Sequence, residues 1–184
     1  AEILSGLAEM LKHALIADPA LWEALTDLEE IDANHLKPFI KQNIRIKNNI
    51  VFEDPFEENI RKKLNYGHTV GHAWESWSLE NHLSFSHGYC VAQGMKWANY
   101  HSYKSDILDH ESYVEINDFL EELFPIKSKP KSEDLLKFLV QDKKNKSENL
   151  QLTLLQNIGE VMINQPMSLD QWTVSFQAWL TALK

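Results

Sequence analysis

The stretch Asn65-Tyr-Gly-His-Thr-Val-Gly-His72 is the part of the sequence around which we expect the fold to be arranged. His68 and His72 are four residues apart, a spacing that puts both imidazoles on one face of a helix. Gly67 and Gly71 are also four residues apart, although glycine costs about 1 kcal/mol relative to alanine in a helix. The pattern therefore predicts that a metal ion or a substrate approaches this face of the helix closely.

The two histidines allow more than one chemistry. Two imidazoles one helical turn apart can share a divalent metal, with further ligands from elsewhere in the fold. Alternatively, one imidazole binds the metal and the other moves protons, because the pKa of imidazole lies near neutrality. Without a metal, both would be ordinary polar or core histidines. His87 stands where a loop meets a helix, a position from which it can reach back to them, and this favours a functional site.

Length and composition predict a folded domain and exclude several classes of protein. The chain has 184 residues, of which 43% are hydrophobic and 24% charged, as in ordinary soluble proteins. The net charge of −9 argues against nucleic-acid binding. No apolar run is long enough for a membrane span. Cys90 is the only cysteine, so no internal disulfide can form and a cytoplasmic location is expected.

Apolar residues recur at three- and four-residue spacing along most of the chain, which predicts a mainly α-helical protein. Helices are expected at about 5–17, 19–29, 38–52, 63–79, 87–103, 110–123, 132–141 and 168–183, the last opened by a capping-box pattern. One short β-hairpin is expected near residues 150–163, where apolar residues alternate on either side of an Asn-Ile-Gly turn. We expect a single domain over residues 1–184. Because the chain starts without methionine, we interpret it as a piece of a longer protein.

Charged residues near the start of the chain form a second candidate group. Glu9 and Lys12 are three residues apart and share one helical face. Glu9 could be a metal ligand and Lys12 could bind a phosphate or carboxylate. The alternative is an exposed salt bridge, but the apolar residues around the pair place it near the edge of the core, where buried charges need partners.

Polar residues before the histidines form a third group. If the histidine helix extends back to residue 61, four of them follow one another at helical spacing: Arg61, Asn65, His68 and His72. Such a stripe could line a cleft and bind a polyhydroxylated anion, or it could be a solvated face. The later run Asp142-Lys-Lys-Asn-Lys146 is likewise either a solvated loop or a cluster with a functional role.

Four segments occur in the order and with the gaps of a known family: Ser5–Lys12, Leu64–Glu75, His87–Met95 and Asp142–Lys144. In these segments the chain resembles the C-terminal half of 3-dehydroquinate synthase. The resemblance implies the helical C-terminal domain of the dehydroquinate synthase-like fold, mainly α with one short β-hairpin. It also implies a separate N-terminal NAD-binding domain that is absent from this chain.

The resemblance also implies a reaction. The family converts the sugar acid phosphate DAHP into 3-dehydroquinate and phosphate, as a phosphate-eliminating lyase of the shikimate pathway of aromatic amino acid biosynthesis. It uses NAD and a divalent metal, zinc or cobalt, and its members are commonly dimers, so a homodimer is expected. The fragment alone is expected to be inactive. Two alternatives remain: a related sugar-phosphate cyclase of the valiolone or inosose synthase type, and a non-catalytic all-α metal-binding domain.

Residue by residue, the resemblance implies a set of site residues. Glu9, His68 and His87 match the metal ligands. The positions that match catalytic residues are His72, Lys12, Arg61 and Asn65, and His72 is the one that moves protons. The positions that match substrate-binding residues are Lys12, Lys47, Glu57, Arg61, Asn65, His72, Lys143 and Lys144, with one of the last two reaching the phosphate. The NAD-binding residues are expected mostly in the absent domain.

Overall fold

The computed structural model describes residues 2–141 and 149–183. In these ranges the chain forms eight α-helices, one 3-10 helix and a two-stranded antiparallel sheet. The α-helices are α1 (Glu2–Ala17), α2 (Pro19–Thr26), α3 (Ala33–Glu53), α4 (His68–Glu80), α5 (His87–Lys104), α6 (His110–Leu123), α7 (Ser132–Gln141) and α8 (Leu169–Ala182). The 3-10 helix is Ile60–Asn65, and the strands are β1 (Asn149–Asn157) and β2 (Glu160–Ser168). The predicted fold class is confirmed.

Helix α5 lies at the centre of the domain. Nearly all of its residues from Gly88 to Tyr100 are buried, and it packs against α1, α4, α6 and β1. A helix that is buried on all sides belongs to the interior of a protein. Trp74 and Trp77 of α4 are also buried. The core therefore surrounds α5, and the site described below lies at its amino-terminal end.

The β-hairpin is present and is longer than predicted. Its register runs from Asn149 opposite Ser168 to Asn157 opposite Glu160. The Thr153 hydroxyl donates a hydrogen bond of 2.8 Å to the carbonyl oxygen of Lys62. This bond ties the hairpin to the 3-10 helix and so brings β1 beside the histidines.

The histidine helix starts later than predicted. The 3-10 helix Ile60–Asn65 comes first, and Gly67, with a left-handed φ of 75°, separates it from α4. The expected helix from about residue 63 is therefore wrong, because a left-handed residue interrupts the α-helical path. The predicted stripe from Arg61 to His72 does not follow one continuous helix.

The glycines of the histidine stretch face another helix rather than a ligand. A Cβ atom on Gly71 would lie 3.0 Å from the Cα of Val91, and one on Gly67 would lie 2.5 Å from the side chain of Met95. In turn, a Cβ on Gly94 of α5 would lie 1.9 Å from the carbonyl oxygen of Gly67. The prediction that a metal or substrate approaches these glycines is wrong, since the space is needed for the close crossing of α4 and α5.

Other boundaries differ modestly from the prediction. Helix α2 ends at Thr26 rather than near residue 29. Helix α3 starts at Ala33, before Pro38, because the Asp32 carboxylate caps it by accepting hydrogen bonds from two backbone N–H groups. The capping box of Ser168 and Gln171 is confirmed at the start of α8. Among the described helices, none combines the length and apolar character needed to cross a membrane.

Candidate metal and substrate site

Three helices bring a carboxylate and three imidazoles together. Glu9 comes from α1, His68 and His72 from the first two turns of α4, and His87 is the first residue of α5. A ligand nitrogen from each of the three histidines lies within 4.8 Å of the others. Glu9 Oε1 lies 3.5 Å from His68 Nε2 and 3.9 Å from His87 Nε2. The prediction that His87 reaches back to the histidine pair agrees with this geometry.

A backbone contact between α1 and α5 puts His87 beside Glu9. The N–H of Gly88 donates a hydrogen bond of 3.0 Å to the Ser5 hydroxyl. A Cβ on Gly88 would lie 2.4 Å from the carbonyl oxygen of Ser5, so only glycine allows the two helices to touch here. Ser5 lies one helical turn before Glu9 on α1, so the contact with Gly88 places His87 close to Glu9.

The proton of His68 can be assigned from its neighbour. Its Nδ1 lies 3.2 Å from the carbonyl oxygen of Tyr66. A carbonyl can only accept a hydrogen bond, so Nδ1 donates and Nε2 keeps its lone pair. That lone pair faces Glu9 Oε1, which is also an acceptor. Two acceptors that face each other repel unless a proton or a cation lies between them.

Burial and neighbouring charges determine the protonation states of Glu9 and His68. Burial raises the pKa of Glu9, but the charge of Lys12 and its hydrogen bond to Oε2 outweigh burial and hold that pKa below its usual value. Burial lowers the pKa of His68 to about 3, so its imidazole is neutral at pH 7. Glu9 Oε2 accepts a hydrogen bond of 2.8 Å from Lys12, whereas Oε1 is buried and has no hydrogen-bond partner among the described residues. A buried carboxylate oxygen in that state is costly unless a cation satisfies it.

The donor set fits a divalent metal. The separations of 3.5 and 3.9 Å exceed normal hydrogen-bond lengths. Two ligands that each lie about 2.1 Å from a tetrahedral ion are roughly 3.4 Å apart, which is close to these separations. One carboxylate and two neutral imidazoles are ligands that zinc and cobalt accept. The exposed salt bridge that Glu9 and Lys12 could have formed is not what the structure contains, because the Lys12 side chain is only 3% exposed.

A cavity of about 360 Å³ opens beside the cluster. All of its lining residues except Phe56 have polar side chains, and they are Phe56, Glu57, Lys62, Asn65, His68, Thr69, His72, Gln151, Thr153 and Asn164. The Asn65 side-chain amide donates a hydrogen bond of 2.8 Å to Glu57 Oε1. The cavity thus unites four residues that the sequence singled out, and its polar walls suit a polyhydroxylated ligand.

Other predicted site residues are not among those that line this cavity. Lys47 is exposed on α3, near enough to Lys12 that its charge adds to burial in lowering the pKa of Lys12. The Arg61 guanidinium donates a hydrogen bond of 2.7 Å to the carbonyl oxygen of Pro55. Lys143 and Lys144 fall outside the described residues.

The sequence did not single out several cavity residues. Thr69 follows His68 directly in the histidine stretch, and that position could have suggested it. Lys62 lies in the charged segment before the stretch, in which only Glu57 and Arg61 were predicted as site residues. The hairpin residues Gln151, Thr153 and Asn164 carried no local signal, because only the packing of the hairpin on the 3-10 helix brings them here.

The chain is similar to known 3-dehydroquinate synthases. Residues 6–145 match the family model described as 3-dehydroquinate synthase C-terminal. The 3-dehydroquinate synthase of Parabacteroides distasonis is 35% identical over 173 residues, which cover 92% of this chain and 49% of that protein. The chain therefore spans about half the length of this relative.

Solved structures share the fold at lower identity. A 2-deoxy-scyllo-inosose synthase complexed with carbaglucose-6-phosphate, NAD⁺ and Co²⁺ has a TM-score of 0.78 at 20% identity, over 96% of this chain and 52% of that one. The 2-epi-5-epi-valiolone synthase of Streptomyces hygroscopicus subsp. jinggangensis, with NAD⁺ and Zn²⁺ bound, has a TM-score of 0.75 at 17% identity, over 98% and 51%. These likenesses concern the fold, whereas the match of the family model over residues 6–145 shows that the chain belongs to the 3-dehydroquinate synthase C-terminal family.

Proposed function

We propose that the chain is the metal- and substrate-binding domain of a 3-dehydroquinate synthase, the phosphate-eliminating lyase that converts DAHP into 3-dehydroquinate and phosphate. Membership of the family supports the reaction. The observation that carries the proposal is the buried Glu9 Oε1, which has no hydrogen-bond partner in residues 2–141 and 149–183 and faces the Nε2 atoms of His68 and His87. The step belongs to the shikimate pathway of aromatic amino acid biosynthesis.

Glu9, His68 and His87 would hold the metal, zinc or cobalt. When bound, such an ion would polarise the carbon–oxygen bond that is oxidised and draw the substrate hydroxyls into place. Lys12 contributes by holding Glu9 Oε2, which leaves Oε1 turned toward the imidazoles. Zn²⁺ or Co²⁺ accompanies the two structural relatives, which supports this choice of ions.

His72 takes a different role from its neighbours. Its ring centroid lies 5.2 Å from that of His68 and 5.8 Å from that of His87. It is nevertheless exposed, and it lines both the 360 Å³ cavity and a smaller one of about 280 Å³ on its other side. A solvent-accessible imidazole beside bound substrate is suited to accept and return protons. We therefore assign proton transfer to His72.

The remaining polar groups would anchor the substrate. DAHP carries a carboxylate, a phosphate and several hydroxyls, so its site needs cations and hydrogen-bond partners. Lys12, Lys47 and Arg61 would supply the positive charge, because charged groups make strong hydrogen bonds to such anions. Asn65 and Glu57, already joined by a hydrogen bond, would meet the hydroxyls.

The lysines beyond α7 are proposed to reach the phosphate. Gln141, the last described residue before them, lines the smaller cavity together with Thr69 and His72. Lys143 and Lys144 follow it in the sequence by two and three residues.

NAD would bind elsewhere. The described residues contain only an antiparallel hairpin, whereas dinucleotide-binding folds present a parallel sheet with a glycine-rich turn. We propose that a separate N-terminal domain holds NAD, that the 184 residues alone do not turn over DAHP, and that the complete enzyme is a cytoplasmic homodimer. The NAD⁺ in both structural relatives supports the need for this cofactor.

A related sugar-phosphate cyclase is the second candidate, because the two structural relatives are an inosose synthase and a valiolone synthase. DAHP carries a carboxylate, which glucose 6-phosphate lacks. The test uses a full-length protein containing this chain, with NAD and zinc or cobalt, and measures phosphate release from each sugar phosphate separately. Release from DAHP alone is expected. Release from glucose 6-phosphate but not from DAHP would replace the proposal by the cyclase, and release from neither would favour a non-catalytic metal-binding domain.

A further inference from the structure

Glu75 contacts the ring of His87 from the side away from Glu9. It lies on α4 two turns after His68, so the two residues share a face of the helix. Its Oε2 atom lies 3.1 Å from His87 Nδ1. An ionised carboxylate can only accept hydrogen bonds, so the proton of a neutral His87 ring is on Nδ1.

The result for His87 parallels that for His68. In both rings Nδ1 donates to an oxygen behind it, the carbonyl of Tyr66 for His68 and the carboxylate of Glu75 for His87. In both rings Nε2 is therefore left with its lone pair. The two lone pairs and Glu9 Oε1 are the three donors that the metal site needs.

A charged His87 that bridges two carboxylates is the competing explanation. In that case Nε2 would donate to Glu9 at an ordinary hydrogen-bond length of about 2.7–3.2 Å. The observed separation of 3.9 Å is too long for that bond. The separation is closer to the spacing expected for two ligands of one ion, so the geometry favours Nε2 as a metal ligand over Nε2 as a hydrogen-bond donor to Glu9.

We propose that Glu75 is a positioning residue for His87: its carboxylate fixes the proton on Nδ1 and holds Nε2 toward the metal. The inference rests on the metal site proposed above. Glu75 also supplies charge. Lys12 offsets part of the negative charge of Glu9. The carboxylate of Glu75 adds negative charge behind His87, and this makes the imidazole a stronger ligand for a divalent ion.

A second glutamate on the same helix provides a matched control. Glu80 pairs with Lys137 of α7, and both side chains are about half exposed. Substituting Glu80 by alanine removes the same charge from α4 without touching any of the histidines. A difference between the two alanine variants therefore reports the contact with His87 rather than the net charge of the helix.

The experiment measures zinc affinity of the 184-residue chain and of its Glu75→Ala, Glu75→Gln and Glu80→Ala variants, by competition with a chelator. Glu75→Ala is expected to weaken zinc binding about 10- to 100-fold. Glu75→Gln keeps an acceptor for Nδ1–H but loses the charge, so an intermediate affinity is expected. Glu80→Ala is expected to bind zinc like the unsubstituted chain.

The second measurement is the ¹⁵N NMR spectrum of the histidine rings in the metal-free chain. The signal of a protonated Nδ1 in His87 is expected in the unsubstituted chain and in Glu75→Gln, and its loss is expected in Glu75→Ala. Unchanged affinity and an unchanged His87 tautomer in Glu75→Ala would overturn the inference, as would equal weakening by Glu80→Ala. Zinc binding that ignores Glu75 defeats this inference alone, whereas an unsubstituted chain without zinc affinity defeats the proposed function as well.

Discussion

Gly94 of α5 lies directly against the backbone of Gly67, the residue before His68. A Cβ atom at position 94 would stand 1.9 Å from the Gly67 carbonyl oxygen. Real Cβ atoms do not approach a backbone oxygen so closely. To accommodate a side chain at position 94, the backbone of Gly67 or of α5 would have to shift. The start of α4, and with it the first imidazole of the site, is therefore held in place from behind by α5.

Substituting Gly94 by alanine is expected to damage both the fold and the site. Overpacking a tight interior costs about 1–3 kcal/mol, and a clash with backbone belongs at the upper end of that range. We expect the free energy of unfolding, measured with urea, to fall by this amount. Zinc affinity should fall with it, because relief of the clash displaces Gly67 and hence His68.

Gly6 offers the control for that experiment. It also lies within a helix, but a Cβ there meets no atom within 4 Å. Gly6→Ala is therefore expected to stabilise the chain by about 0.5–1 kcal/mol, the usual gain when alanine replaces glycine inside a helix. If Gly94→Ala proved as stable as Gly6→Ala, the close crossing of α4 and α5 would not constrain the site as described.

His13 gives the domain a specific sensitivity to acid. It is buried on α1, and its Nδ1 lies 2.5 Å from Asn43 Oδ1. Burial, with help from the charge of Lys12, lowers its pKa to about 4. In the unfolded chain the pKa is about 6.5. Between pH 6.5 and pH 4 the His13 ring is protonated in the unfolded chain but not in the native chain. The free energy of unfolding therefore falls as the pH falls from about 6.5 to about 4.

The size of that effect can be measured in the metal-free chain. A difference of about 2.5 pH units between the two pKa values corresponds to roughly 3 kcal/mol of unfolding free energy. We expect urea unfolding between pH 7 and pH 4 to show a shallower loss of stability in His13→Leu than in the unsubstituted chain. His35→Leu, which removes an exposed histidine, serves as the control. An identical pH dependence in His13→Leu would contradict the assignment.

The helical architecture was readable from the sequence because its signals are local. Apolar periodicity predicted the helices, and the capping box at Ser168 predicted the start of α8. Alternation around the Asn-Ile-Gly turn predicted the hairpin, although each strand is longer than expected. These features depend on residues that are neighbours in the sequence, so a single sequence reveals them.

Local sequence signals could not predict the break before α4 or the packing of the glycines against α5. Gly67 is compatible with a helix interior, and only its contact with Gly94 of α5 explains its left-handed conformation. The sequence suggested that a ligand occupied the space beside Gly67 and Gly71. A partner helix fills that space instead, and its identity depends on tertiary packing.

The site itself was predicted in part. Glu9, His68 and His87 do converge, and the resemblance to a known family named all three together. Spacing alone indicated only that His68 and His72 share a face. The roles suggested for Tyr66 and Glu75, which fix the imidazole protons, depend on a backbone carbonyl and a side chain that become neighbours of the rings only after folding.

The most direct test of this account is the zinc content of the purified chain after dialysis against the metal. We expect stoichiometric zinc in the unsubstituted chain and in His35→Ala, whose histidine belongs to a separate exposed cluster with Glu30 and Asp32. We expect zinc to be lost in Glu9→Ala, His68→Ala and His87→Ala. Zinc content that is unchanged in these three variants, or lost in His35→Ala instead, would contradict the proposed site.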